Sequence, residues 1–325
     1  MNTGRGRSKT EPESKRNKAV GLRQPVANHM HSRAAPLNVG AIMRLLRPGQ
    51  WVKNAFVCAG VLFGGQLHNA PLLFTVALTF AAFSLMGSSV YALNDYLDRE
   101  SDREHPTKRY RPLANGTVTV VQGFAAAIMC FGLSVVAAWF ADPRVLIIVL
   151  LYLAINVAYS LRLKHQPVVD VFCISSGFML RILAGTWGIR IPPSGWLILT
   201  GMFITLFLGF AKRRAEWTDA AGTHSRRPVL ELYSRELLDT FLSIAATGTV
   251  LSYGLYTLDP QTIALHHTDK LIYTLPFVLF GLFRYLFLLH SHKKGENPSA
   301  DVFTDRQILI CGASFAGCAL WLLNR

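Results

Sequence analysis

Residues 94–112 read NDYLDRESDREHPTKRYRP and follow directly on LLFTVALTFAAFSLMGSSVYAL (72–93), which carries no charge. Seven acids and bases fall in the first twelve residues of the charged stretch, and a basic, proline-punctuated segment completes it. About 20 apolar residues suffice for a helix to cross a bilayer, so the boundary at Asn94 reads as the point where a helix leaves the membrane. The same apolar-run reading gives nine spans along the chain, at roughly 51–67, 71–93, 118–141, 144–160, 168–189, 195–211, 237–257, 271–290 and 306–324. The runs are continuous rather than alternating, which selects helices over a barrel. The first and fourth are short and call for tilt or local thinning of the bilayer.

Composition agrees. The chain is 51% hydrophobic and 16% charged with a mean hydropathy of +0.30, too apolar for an ordinary soluble protein. The expectation is an all-α integral membrane protein of nine helices over residues 38–325. Residues 1–37 precede it as a basic tail with eight Lys/Arg, two Glu, no apolar period and no secretory signal. The net charge of +14 is explained by topology and anionic membrane lipid rather than by nucleic acid, since no nucleic-acid motif accompanies it. Fifteen Lys/Arg lie in the loops after spans two, four, six and eight, against three (Arg144, Arg190, Lys270) in the others. That bias places the tail and the even loops in the cytoplasm, the chain in the inner (plasma) membrane and, with nine spans, the C-terminus outside. The five cysteines stand singly in apolar stretches and read as small hydrophobes.

Orientation explains bases on that side but not regularly spaced acids. At about 100° per residue, Asn94, Asp98, Asp102 and Asp95 fall within about a quarter of one helix circumference. Oxygen ligands gathered there repel one another unless a cation joins them, and hard oxygen donors suit Mg²⁺. The bland alternative is a solvated helix end. Against it stands the segment that follows, where Lys108, Arg109 and Arg111 offer phosphate-binding charge between Pro106 and Pro112. Metal ligands beside bases form the surroundings a Mg-diphosphate requires.

NDYLDRESD has the NDxxDxxxD pattern of the UbiA-type intramembrane prenyltransferase superfamily, which the chain resembles. LRPGQWVKN, DREHPTKRYRPLANG, YSLRLKHQPVVD and AKRRAEW, in this order, are similar to the decaprenyl-phosphate phosphoribosyltransferase branch of that superfamily, over roughly residues 44–310. The resemblance implies a UbiA-type bundle with a cytoplasmic-side active site. The implied reaction takes a polyprenyl phosphate and 5-phosphoribosyl 1-diphosphate to polyprenyl phosphoryl-5-phosphoribose and diphosphate, with Mg²⁺ as cofactor and cell-envelope glycans as destination. Asn94, Asp95, Asp98 and Asp102 would hold the metal; Lys53 and Lys164 join the acids as catalytic candidates. Lys108, Arg109 and Arg111 would bind the diphosphate or the ribose 5-phosphate. The incoming lipid phosphate is already anionic, so no general base is needed.

One departure matters. The superfamily's second motif, DxxxD, is replaced by Lys212, Arg213 and Glu216, which shifts the local demand from a second metal to bare phosphate. A juxtamembrane basic stop with a self-paired Glu is the plainer reading of those three. Lys53, beside Asn54 at the first span, is either a phosphate ligand or a snorkelling anchor. Tyr159, Arg162 and Lys164 end the fourth span; the resemblance puts a Tyr and a Lys of this segment near the phosphates. Asp170 could join the polar site at the cytoplasmic mouth. Arg181, Asn156 and Arg284 lie inside spans, where a charge is costly and marks either a buried pair or a ligand. Gly60 and Gly64 form a GxxxG, a hint of close helix packing and of a homo-oligomer.

Three rival readings fit the sequence less well. A UbiA-type enzyme moving a polyprenyl group from its diphosphate to an aromatic acceptor is disfavoured by the altered second motif. A CDP-alcohol-type transferase lacks its DGxxAR string here. A transporter is disfavoured by the absence of paired broken helices.

Overall fold

The computed structural model describes residues 38–220, 228–291 and 305–323; the basic tail expected over 1–37 lies outside them, as do Arg226, Arg227, Lys293 and Lys294. Among the described residues, eight helical segments are long and apolar enough to cross a membrane. They are α3 (Ala70–Leu97), α5 (Val120–Ala141), α6 (Pro143–Leu161), α7 (Val169–Ala184, extended to Ile189 by a 3₁₀ turn), α8 (Gly195–Ala220), α9 (Arg235–Leu258), α11 (Leu275–Ser291, entered from Lys270) and α12 (Arg306–Leu323). These match the second to ninth expected spans. The protein is an all-helical integral membrane protein. Local chemistry sets the boundaries: Asn69, Thr119, Asp142 and Ser234 cap their helices through side-chain oxygens, and α3 and α6 open on proline.

The first expected span differs. A short helix α1 (Val39–Leu46) ends on Arg47, and residues Pro48–Cys58 then form a 3₁₀ helix that passes into α2 (Ala59–Phe63). Eleven residues is long for a 3₁₀ helix. Packing on α3 supplies the reason. Trp51 Nε1 donates to Ser88 Oγ at 3.0 Å and Asn54 Nδ2 donates to Ser84 Oγ at 2.8 Å. Three residues of 3₁₀ helix rise about 6 Å, as do four of α-helix, so the two ladders stay in step. At the far end Gly60 and Gly185 meet backbone to backbone: a Cβ on Gly60 would lie 1.7 Å from the Gly185 carbonyl oxygen, and one on Gly185 1.8 Å from that of Val57. The close approach hinted at by Gly60 and Gly64 is thus made within the chain.

Two apolar cores fill the bundle. Val57, Val61, Phe83, Met86, Val149, Tyr152 and Leu180 join the 3₁₀ segment and α2 to α3, α6 and α7. Phe207, Phe210, Leu238, Leu242, Leu282 and Leu289 join α8, α9 and α11, with Val171 of α7 added. The span containing α7 is the most enclosed of the eight, 56% buried against 39% or less elsewhere. It is therefore the wall between the halves. At its N-terminal end, where α3, α6 and α8 also have charged ends, the polar groups gather.

Candidate active site

The acid-rich stretch is bent rather than straight. α3 stops at Leu97, Asp98 stands at the junction, and α4 (Arg99–Glu104) follows. Bonds from Asp98 N to Asn94 O (2.9 Å) and Asp102 N to Asp98 O (2.8 Å) keep the spacing helical. Asp95 and Asp102 turn inward, 2% and 3% exposed. Arg111 bridges them, its Nη1 donating to Asp95 Oδ1 at 3.1 Å and Asp102 Oδ2 at 2.7 Å. Asp98 is more exposed and accepts from Lys164 Nζ at 3.0 Å, while Asn94 Oδ1 accepts from Ser160 Oγ at 2.6 Å. The helical wheel put all four side chains on one arc; the structure divides them, because bases from other loops interleave the acids. Among the described residues no three His, Cys, Asp or Glu are grouped to hold a metal ion. One atom does fit a cation. Asp95 Oδ2 is buried and has no hydrogen-bond partner, and an orphaned carboxylate oxygen is costly unless something charged meets it.

Arg47 was missed by sequence reasoning. Its Nη2 donates to Asp95 Oδ1 at 2.6 Å and its guanidinium lies 5.0 Å over the Tyr91 ring. The backbone there is left-handed, φ 51° and ψ 58°, immediately before Pro48. The available signal was an Arg-Pro pair at the mouth of a polar-punctuated span. Of the other bases, Lys108 opens a 3₁₀ turn and is half-buried. Arg109 is exposed and bonds the Tyr110 hydroxyl at 2.8 Å, and Arg162 is exposed at the end of α6.

A second cluster lies between α6, α7 and α8. Arg213 is fully buried and donates to Asp170, to Glu216 and, at 3.0 Å, to the Tyr159 hydroxyl. The expected helix-eight bases therefore separate: Arg213 is enclosed by two carboxylates and a phenol, and Lys212 beside it is half-buried. Arg213 can orient Tyr159, Asp170 and Glu216 but offers no exposed face to a phosphate in this arrangement. Tyr233, from the segment after α8, donates to Asp170 Oδ1 at 3.0 Å and accepts from the Val168 N–H. Burial, aided by the charge of Asp170, pushes its phenol up to about 12, so it keeps its proton at any physiological pH. Val168 itself is strained. Its φ of 67° and ψ of −50°, with Val169 N bonded to Pro167 O at 2.7 Å, make a positive-φ γ-turn, a rare form and an outlier for a β-branched residue.

Deeper in the bundle, Asn54 is buried and accepts from Arg181 Nε at 2.6 Å. Arg181 also donates to the Gly177 carbonyl and the Tyr152 hydroxyl and lies 4.8–5.7 Å from the ring centroids of Tyr152, Phe83 and Phe178. Lys53 is half-buried beside it. The other two intramembrane polar residues are structural: Asn156 donates to Tyr152 O, and Arg284 pairs with Asp305, the N-cap of α12.

Comparison with known proteins adds three findings. The pattern defining the UbiA prenyltransferase family matches residues 54–322. A decaprenyl-phosphate phosphoribosyltransferase of Mycobacterium tuberculosis is 38% identical over 226 residues, 68% of this chain and 75% of the relative. One from Mycolicibacterium smegmatis is 33% identical over 313 residues, 90% of this chain and 96% of the relative. Among solved structures, a UbiA homolog from Archaeoglobus fulgidus bound to GPP and Mg²⁺ superposes with a TM-score of 0.65 at 20% identity, covering 88% of this chain and 100% of that one.

Proposed function

The chain belongs to the UbiA prenyltransferase family, and we propose that it transfers 5-phosphoribosyl from 5-phosphoribosyl 1-diphosphate to a polyprenyl phosphate, with release of diphosphate. The names of the mycobacterial relatives, one of which matches along 96% of its length, support pentosyl transfer to a prenyl phosphate. The observation that carries the reading is the interleaved cluster in which Arg111 spans Asp95 and Asp102 while Lys164 holds Asp98. Each base sits one exchange of partner away from a phosphate. When an anionic donor arrives with its counter-cation, Arg47, Arg111 and Lys164 can pass from carboxylate to diphosphate oxygens without crossing the site. Donors already in place for charge that grows on a leaving group lower the barrier without reorganisation.

Asp95, Asp98, Asp102 and Asn94 would hold Mg²⁺, which the orphaned Asp95 Oδ2 fits. Bound there, the ion would supply positive charge to the departing diphosphate. The lipid phosphate oxygen attacks the anomeric carbon as the carbon–diphosphate bond breaks, and no proton need move. Exposed Arg109 and half-buried Lys108 suit the donor's 5-phosphate, which enters from water. Arg213 acts at second hand, fixing Tyr159 and Asp170. The Lys/Arg bias between loops supports a site that opens to the cytoplasm. A ninth crossing is also proposed: eleven 3₁₀ and five α residues over Pro48–Phe63 reach about 30 Å, the thickness of the hydrocarbon core.

A second reading, prenyl transfer from a prenyl diphosphate, is favoured by the GPP and Mg²⁺ bound to the Archaeoglobus homolog. Against it, the carboxylates at the α8 end are already neutralised by buried Arg213. The deciding experiment supplies purified protein with labelled 5-phosphoribosyl 1-diphosphate and a polyprenyl phosphate, with Mg²⁺ or with EDTA. Labelled lipid that needs Mg²⁺ and is lost in Asp98→Ala supports the proposal. Its absence, with prenylation of an aromatic acid from a polyprenyl diphosphate, overturns it.

A further inference from the structure

The charges at this end of the bundle are unevenly matched. Asp95 has Arg47 and Arg111, Asp102 has Arg111, Asp98 has Lys164, and Asp170 and Glu216 share Arg213. Below them two cations have no acid. Arg181 is 6% exposed, yet its hydrogen-bond partners are an amide, a carbonyl and a phenol, and among the described residues no carboxylate is within ion-pair distance of it. Lys53, half-buried and next in the chain to the Asn54 that holds Arg181, likewise has no ion pair among the described residues. A lone guanidinium inside a membrane bundle is expensive, and three aromatic faces offset only part of that cost.

The placement is layered. Ser84, which holds Asn54 and through it Arg181, lies eleven residues before Asp95 on α3, about 16 Å deeper along the helix. Lys53 shares the 50–53–56 line of the 3₁₀ helix with Phe56, whose ring packs 5.3 Å from that of Phe178, one of the rings over Arg181. Tyr91, one α-helical turn before Asp95, has the Arg47 guanidinium 5.0 Å over its ring, just below the carboxylate layer. A displacement at the anomeric carbon needs nucleophile and leaving group on opposite sides. With the diphosphate held by the upper layer, the nucleophile must come from the interior, where the unbalanced charge lies.

Resting on the proposed reaction, we infer that Lys53 and Arg181 form the acceptor subsite: an anion cradle for the monophosphate head of the lipid, beneath the carboxylate layer that takes the donor. Two uncompensated positive charges match a phosphate monoester dianion. The isoprenoid tail then continues among the apolar helices, and the ribose lies between the two layers.

The test measures binding of farnesyl phosphate to the purified full-length protein in detergent, with neither donor nor Mg²⁺. The expected result is at least a tenfold weaker affinity in Lys53→Gln and in Arg181→Gln, and an unchanged one in Asp98→Asn. Farnesol, lacking the phosphate, should bind at least tenfold more weakly. Lys53→Gln alone decides the matter if Arg181→Gln fails to fold. Wild-type affinity in Lys53→Gln, or loss of affinity in Asp98→Asn with Lys53→Gln intact, overturns the inference. Competition by inorganic phosphate as strong as by farnesyl phosphate overturns the lipid assignment. The reaction is read separately: no pentosyl transfer, with Lys53-dependent binding retained, removes the proposed function and leaves the anion cradle standing.

Discussion

Val168 and Val169 are adjacent, of one residue type and equally accessible, 37% and 38% exposed. They differ in backbone: Val168 holds a φ of 67° and Val169 begins α7. Glycine at either position removes the same side-chain burial and adds the same freedom to the unfolded chain, so both terms cancel in the comparison. What remains is relief of positive-φ strain at 168, about 1–3 kcal/mol, and a loss of a few tenths of a kcal/mol of helix propensity at 169. Val168→Gly should therefore be more stable than Val169→Gly by roughly 1.5–3.5 kcal/mol. At the 2–4 °C per kcal/mol typical of larger domains, that is a melting temperature about 3–14 °C higher, read by thermal unfolding in detergent. The turn also aims the Val168 N–H at Tyr233 and sets Asp170 beneath it. Relaxing it should lower turnover even as stability holds. Equal melting temperatures in the two variants would refute the strained turn, and unchanged turnover in Val168→Gly would refute the orienting of Tyr233 and Asp170 by it.

Arg111→Gln leaves Asp102 buried without its cation and should cost about 3 kcal/mol; adding Asp102→Asn should recover most of it, whereas additive losses in a thermal double-mutant cycle would show the two uncoupled. Lys164→Met breaks a partly exposed pair with Asp98 and should change stability by less than about 1 kcal/mol while lowering transfer about 10²-fold, so an activity loss that tracks unfolding would reject its role toward the donor. Burial holds the His266 imidazole below its usual value. The unfolded chain then takes up the proton first as pH falls, and the contribution is present above the unfolded value near 6.5 and lost below it. The wild type should lose more melting temperature than His266→Asn between pH 7.5 and 5, and equal losses would assign the acid sensitivity elsewhere.

Eight spans were legible because each is a run of apolar residues long enough to cross, and bilayer thickness sets that length whatever the neighbours. The charged stretch from Asn94 was legible for a related reason: i, i+4 spacing is local, and the helical bonds from Asp98 and Asp102 preserve it. Partners were not. Arg47 reaches Asp95 across 48 positions, Lys164 reaches Asp98 across 66, and Tyr233 reaches Asp170 across 63, with no pattern in either member that names the other. The sharing of Asp95, Asp98 and Asp102 among Arg47, Arg111 and Lys164 was therefore not legible. Spacing showed which way the acids could turn, but not that Arg111 would be inserted between two of them. In the same way the pairing of Arg213 with Glu216 was legible at i, i+3, but the burial of Arg213 against Asp170, 43 positions away on α7, was not.

The 3₁₀ segment shows the limit of periodicity most clearly, and it bears on the site. Trp51, Asn54, Val57 and Gly60 recur every third residue, and each touches the bundle: Ser88, Ser84, the core of α3 and α6, and the Gly185 carbonyl. At the 120° per residue that holds through Cys58, Trp51, Asn54 and Val57 are eclipsed on one line, and Gly60, two residues into α2, stays within about 40° of it. At the 100° of an α-helix, Gly60 would stand about 180° from Trp51, so that the bond to Ser88 and the glycine contact could not both form. The glycine contact is the less adaptable of the two, because no Cβ fits between the backbones there. The segment therefore tightens, and in doing so it fixes the direction of Lys53, one position before Asn54 and about a third of a turn around the helix. Phe56, three residues on and on the same line as Lys53, packs against Phe178, while Asn54 beside it holds Arg181. The contacts of this segment follow from a helix type that hydropathy does not register.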